Sequence, residues 1–458
     1  MHLAKLLTHL FGIGLMGTAL CAHAKTPYGA DPVNPVVTNC NVTPPDTAIT
    51  PPLLTSGLPC SVVTVPPFTL DGLQHGFDYF SWLTFLALNS PADGKTPIGK
   101  GPQPGGDAPA IWEQWKEISD VMLPGGSKPA PWNAPHVIPK ACQGLSGDTR
   151  VKVVQMVGKT PDLLQETNQP FDTGPLIDQH GKYVRYEILV NRPMFEYIVQ
   201  NRLYSKAGQA AFTGTVAFPE GAVKKGKIGT MGAIMVKASW MVLGPGDDPT
   251  HFHTSRALIY TPAVPSSNIT ESCVPGTLGL VGLHVAHKTA DEPQWTWSTY
   301  ENNANVPDQA DVAAHRFSAH YNFYNPDCEA GKCPVNMPPP RPWNPNVQPF
   351  PDAFTSQITR VVPIDDEVKA LNSAFQGLLP QTVWQNYQLI STQWPTDAKS
   401  KTDPNGVPAP VYLANTTLET YVQGKVPLAS SSCMACHGNA AATTGRTSDF
   451  TYILERAK

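Results

Sequence analysis

AIMVKASWMVL (233–243), RALIYTPAV (256–264), GLVGLHVAHKT (279–289) and QWTWSTYE (294–301) each alternate apolar and polar residues or run apolar throughout. Gly, Pro and Asp bound these stretches, which is the pattern of β-strands. VKVVQMV (151–157) and YVRYEILV (183–190) read the same way, and one helical stretch, PMFEYIVQNRLYSK (193–206), interrupts the set. Strands so close together, with few helical crossovers, predict a mainly antiparallel sheet in an α+β domain with flanking helices.

Outward from this region the pattern changes. LQHGFDYFSWLTFLALN (73–89) and IWEQWKEISDVM (111–122) place aromatic and aliphatic residues at helical spacing. On the other side, DDEVKALNSAFQGLL (365–379), QTVWQNYQLIST (381–392) and NTTLETYVQ (415–423) read as helices. Two proline-rich stretches punctuate the chain, with ten prolines in residues 27–67 and nine in residues 326–351. The organisation expected is a leader (1–24), an extended arm (25–67), an α+β domain (68–325), a linker (326–351) and a helical C-terminal segment (352–458).

The chain has 458 residues, of which 15% are charged and 41% hydrophobic, and its formal net charge is −4. That hydrophobic content excludes wholesale disorder. The absence of a basic excess argues against a nucleic-acid partner. At the N-terminus, Lys5 precedes an apolar run and Ala22-His23-Ala24 forms a small-x-small cleavage site. These are the parts of a secretory signal peptide, too short to span a bilayer, so the mature chain is expected in the periplasm or outside the cell. Eight cysteines remain after cleavage, since Cys21 lies in the leader. In an exported chain, six of them suggest three disulfides. Cys328 and Cys333 close a short loop, Cys40 with Cys60 clamps the arm, and Cys142 with Cys273 follows by elimination.

The other two cysteines lie in Cys433-Met434-Ala435-Cys436-His437. Cys-x-x-Cys-His is the signature of c-type haem attachment, with two thiols one helical turn apart and the histidine as axial iron ligand. The sequence therefore predicts one covalent haem c held by Cys433, Cys436 and His437. Other readings of the same residues fit less well. A thioredoxin-type site needs a βαβ context with most of its domain after the motif, and 21 residues follow His437. A structural zinc site needs a second ligand pair. A disulfide between Cys433 and Cys436 is strained and leaves His437 unexplained.

No methionine follows Met434, so a distal group must come from upstream. His284 and His287, three apart on one strand, point to opposite faces. HFH (251–253) places two rings on one face, and His315 and His320 are further candidates. The aromatic residues Trp295, Trp297 and Tyr300 stand near His284, His287 and Lys288 in sequence.

FPEGAVKKGKIGTMGAIMVKASWMVL (218–243), GLVGLHVAHKTADEPQWTWSTYENNANVP (279–307), SSCMACHGNAA (431–441) and SDFTYIL (448–454) together resemble a family of secreted bacterial mono-haem cytochromes c without a settled reaction. A weaker similarity is to hydroxylamine-oxidising cytochromes whose haem is crosslinked to a lysine. That similarity implies a sheet lysine such as Lys237 facing the haem, with Asp449-Phe450 as the acidic-aromatic segment after the motif.

Two roles follow from a haem reading. One is electron transfer with a periplasmic redox partner. The other is haem-dependent oxidoreduction of a small molecule at an open distal site. A third possibility is a gas-sensing or partner-binding module without catalysis. The sequence contains no nucleophile elbow, phosphate loop or metalloprotease signature.

Overall fold

The computed structural model describes residues 57–62, 69–92, 98, 109–146, 151–155, 174–222, 230–265, 268–317, 321–329, 331–340, 343, 356–398, 407–424 and 431–458. The regular elements are, in chain order, α1 (Leu70–Leu88), β1 (Lys116–Glu117), β2 (Lys152–Val154), β3 (Arg185–Val190), α2 (Arg192–Gln200) and α3 (Lys206–Ala211). They continue with β4 (Ile234–Val242), β5 (Thr254–Thr261), β6 (Ser272–His287), β7 (Thr296–Asn302) and α4 (Gln309–Ala313). The last are α5 (Asp366–Gly377), β8 (Tyr387–Pro395), β9 (Pro408–Ala409) and α6 (Cys433–His437).

The strands form one nine-stranded sheet in the order β1-β3-β4-β6-β7-β8-β9, with β5 against β6 and β2 against β5. All pairings are antiparallel except β2 with β5. The α+β class and the mainly antiparallel sheet therefore stand as expected. Register assigns the faces, because cross-strand partners point the same way. Lys237, His284 and Thr299 are partners across β4, β6 and β7 and share one face. Val236, Val285, Ser298 and Thr392 share the other.

The second face is covered by α1. Thr69 caps this helix through Gly72 N–H. Ser81 Oγ sits between Ser298 Oγ (2.7 Å) and Thr392 Oγ1 (2.6 Å). Around that polar contact Trp82 stacks on Phe375 of α5 at 4.9 Å and donates its indole N–H to Asn372. Tyr300 donates its hydroxyl to Ser81 O. Every polar handle of these large side chains has a partner, which lets them fill the core without an unmet hydrogen bond.

Three helices expected from spacing do not form. Residues 111–122 make two 3₁₀ turns around β1, which pairs with Val190 and Leu189 of β3. Residues 111–118 are buried throughout, so the chain has no solvent-facing polar side to distinguish a helix. Residues 387–395 form β8, where cross-strand pairing with β7 overrides local propensity. Residues 415–423 make turns, because Asn415 accepts from Thr417 N and Oγ1 while Thr416 N and Oγ1 donate to Glu301. These side-chain bonds compete directly with a helix ladder. The helical C-terminal haem-attachment segment is thus corrected: this part of the chain supplies a strand to the sheet, and the five-residue α6 is its only α-helix besides α5 among the described residues.

Cys142 is bonded to Cys273 and Cys328 to Cys333, as expected. Cys60 is disulfide-bonded as well. Its expected partner Cys40 lies outside the described residues, as do the leader (1–24) and nearly all of the arm. No described helix is long and apolar enough to cross a membrane.

Candidate functional site

Gln393 of β8 fixes α6 to the sheet. Its Oε1 accepts from Met434 N (2.8 Å) and from Ser432 Oγ (3.2 Å), and Ser432 caps the helix through Ala435 N–H. Met434 is fully buried and acts as the anchor. Cys433 and Cys436, three apart, share one side of the short helix and are half-buried thiols. His437 closes the helix, one turn beyond Cys433.

The His437 ring lies 4.6 Å from Trp297 and 5.4 Å from Tyr452. Tyr452 donates its hydroxyl to Cys436 O, tying the segment after α6 back onto it. Nδ1 of His437 is 2.8 Å from Phe450 O. A carbonyl only accepts, so Nδ1 carries the proton and Nε2 of the neutral ring is the acceptor. Burial lowers the His437 pKa to about 4. The Phe450 carbonyl and Glu419 work against this shift, and Lys237 and His284 add to it. At neutral pH the ring is an uncharged base.

The same face of the sheet presents Lys237 and His284, which are direct cross-strand partners. His284 Nε2 is 2.9 Å from Glu419 Oε2, and the same carboxylate oxygen accepts from Asn415 N. Lys237 Nζ lies 5.8 Å above the Tyr186 ring. The turn at 415–419 is pinned to the sheet by Thr417 Oγ1 on Ser239 Oγ and by Asn415 Nδ2 on Thr299 Oγ1. Cys433, Cys436, His437, Lys237 and His284 therefore belong to one side of the sheet, where Glu419 holds His284.

His287 does not join them. It points to the opposite face, with its ring 5.4 Å from Phe80 of α1, and burial lowers its pKa to about 3. The two rings of HFH also part: His253 is buried against Glu113, at 2.5 Å, whereas His251 is exposed beside Asp248. His320 lies outside the described residues. The sequence reading missed Glu419, Gln393 and the Phe450 carbonyl. Glu419 sat in a stretch read as helix, and a backbone carbonyl leaves no mark in a sequence.

Comparison of the chain with family models, with curated proteins and with solved structures finds no match. The resemblance to mono-haem cytochromes c, and the weaker one to lysine-crosslinked hydroxylamine-oxidising cytochromes, are accordingly corrected. The fold is a large α+β assembly on a nine-stranded sheet, not the small helical bundle typical of mono-haem cytochromes c. Among the described residues no group of three or more His, Cys, Asp or Glu side chains is arranged to hold a metal ion. The groups expected to face the haem are engaged otherwise: His284 with Glu419, His287 on the far face, and Lys237 over Tyr186. The expectations of a covalent haem c, its iron, electron transfer, haem-dependent oxidoreduction and haem-based sensing are withdrawn on these findings. Disulfide bonding stands.

Proposed function

We propose that Cys433 and Cys436 form a dithiol site that exchanges with disulfides, and that His437 is its base. The observation that carries the reading is the placement of both thiols on the helix that ends in a neutral histidine whose Nδ1–H is committed to Phe450 O. Nε2 is left as the proton acceptor, and a thiolate is the nucleophile in thiol–disulfide exchange.

The step balances as follows. One cysteine gives its proton to His437 Nε2, and its thiolate attacks a sulfur of the partner disulfide, forms a mixed disulfide and expels one partner thiolate, which takes that proton. The second cysteine loses its proton to His437 Nε2 and attacks the mixed disulfide. A Cys433–Cys436 bond forms, the remaining partner thiolate leaves, and the His437 proton reprotonates it. The partner disulfide is reduced to two thiols and the dithiol is oxidised. The strain of a bond across two residues favours this use, because strained disulfides are the exchangeable ones. The short chain after His437 argued against a thioredoxin domain only, since here the supporting sheet lies upstream of the motif.

The same reading places the mature chain in an oxidising compartment, exported by residues 1–24. The Cys142–Cys273 and Cys328–Cys333 bonds support that placement. Lys237, His284 and Glu419 are proposed to line the approach to the thiols. The partner is identified by its chemistry, as a protein or small molecule that presents a disulfide.

Trapping tests the proposal. Cys436→Ser should accumulate a mixed disulfide at Cys433 with oxidised glutathione or an aromatic disulfide, and the wild-type chain should pass through that adduct to an internal bond. His437→Gln should slow the exchange about 10- to 100-fold near pH 7. Thiols that form no adduct in any of these chains would refute the dithiol role.

A further inference from the structure

Two successive residues after α6, Asp449 and Phe450, hold left-handed backbone conformations, with φ of 54° and 61°. A third, Trp295, has φ of 70° in the turn that leads to β7. A large side chain such as Phe or Trp adopts this region only when its surroundings enforce it, and such positions concentrate at functional sites. Two of them, Phe450 and Trp295, lead to His437. Phe450 supplies the carbonyl for Nδ1–H, and Trp295 packs 6.4 Å from Trp297, whose ring faces His437.

A buried ion pair enforces the turn. Asp449 Oδ2 accepts from Lys288 Nζ at 2.7 Å and from Phe218 N at 2.7 Å. The Lys288 and Asp449 side chains are 3% and 9% exposed, so water does not compete for either charge. Lys288 is itself fixed, with its backbone N–H on Ala233 O at 2.9 Å and its ammonium 5.8 Å above the Trp295 ring. On the other side of the turn Ser448 Oγ donates to Thr451 O at 2.6 Å. The carboxylate is held from outside its own segment, and the left-handed pair follows from where it is held.

We infer that Lys288 and Asp449 are positioning residues for His437: their ion pair locks the turn at 449–450 so that the Phe450 carbonyl holds the proton on Nδ1 and leaves Nε2 as the base. The inference relies on the dithiol reading for the use of that base. Its geometry is independent of it. Neither residue touches the reacting sulfurs in this account, and both act through the imidazole.

The test reads the tautomer itself, by long-range ¹H–¹⁵N spectra of the full mature chain labelled with ¹⁵N-histidine. The His437 signals are assigned from their loss in His437→Gln. The wild-type chain should show one neutral tautomer at pH 7, protonated at Nδ1, and Lys288→Arg should retain it. Asp449→Ala and Lys288→Met should lose the single tautomer and show a mixture with the Nε2–H form, in chains that remain folded by circular dichroism. Asp449→Asn keeps the shape and tolerates the left-handed backbone but lacks the charge, so it should give the same mixture if the alanine variant does not fold. An unchanged Nδ1–H tautomer in the folded Asp449 and Lys288 variants would overturn the inference. No thiol reaction enters this measurement, so inert thiols beside a fixed Nδ1–H ring would sink the dithiol reading and leave the positioning role standing.

Discussion

Asp78 lies on the buried side of α1, where burial outweighs hydrogen bonds from Gln74 and Thr392 and pushes its carboxyl pKa from 3.8 up to about 7. The folded protein holds a proton that the unfolded chain releases above pH 3.8. The residue's favourable contribution is therefore complete below that pH and is lost as pH rises to about 7. Asp78→Asn keeps a neutral hydrogen-bonding group and removes the titration. It should stabilise the protein at pH 8 by up to about 4 kcal/mol and change little near pH 4, measured as urea midpoints at the two pH values. Equal midpoint differences at both would contradict the assignment. His437 has the opposite sign. Its pKa of about 4 lies below the ordinary 6.5, so the stability it contributes is present above 6.5 and lost as pH falls to about 4.

At the level of elements, the site depends on a turn pressed flat against the sheet. A Cβ on Gly282 of β6 would lie 2.1 Å from Thr417 Oγ1 and 2.6 Å from Ser239 Oγ, so only glycine leaves room for the 415–419 turn. Gly282→Ala should cost about 1–3 kcal/mol, as overpacking does, and free Glu419 from His284. A lower melting temperature together with new proteolysis within 415–423 would bear this out; unchanged values for both would not. The strands that carry Lys237 and His284 were legible because alternation is written into the residues themselves, and the opposite facing of His284 and His287 followed from strand geometry alone. The turn at 415–419 was not legible. Its apolar spacing imitates a helix, and the bonds that unwind it go to Glu301 and Thr299, more than a hundred residues away in sequence. The strand at 387–395 was hidden for the same reason, since β7 selects it by pairing.

Across the whole molecule, the low charge content takes on a structural meaning. Some of those few charges are sealed inside. Lys152 Nζ sits between Glu113 Oε2 (3.1 Å) and Glu187 Oε1 (2.6 Å), and Arg360 is held by Glu301 (2.9 Å) and Asp308 (3.2 Å). Such pairs are costly to break singly, because the remaining charge is stranded in the core. They tie distant parts of the chain together: Glu301 of β7 also receives Thr416, so the Arg360 pair and the turn beside the site form one network. The site itself draws on β4, β6, β7 and β8 of the sheet and on α6 and the segment 448–452 packed beside them, which must come together before any chemistry is possible. The Cys-x-x-Cys-His residues were evident from the sequence, while the chemistry they perform depends on the sheet and the turn that hold them. The most direct test is the mass of the peptide containing Cys433 and Cys436 from the exported protein, purified without reductant. A dithiol site predicts the bare peptide mass less two hydrogens when oxidised, and the mass plus two alkyl groups after reduction and alkylation. Additional mass attached through both sulfurs, surviving reduction and blocking alkylation, would contradict it.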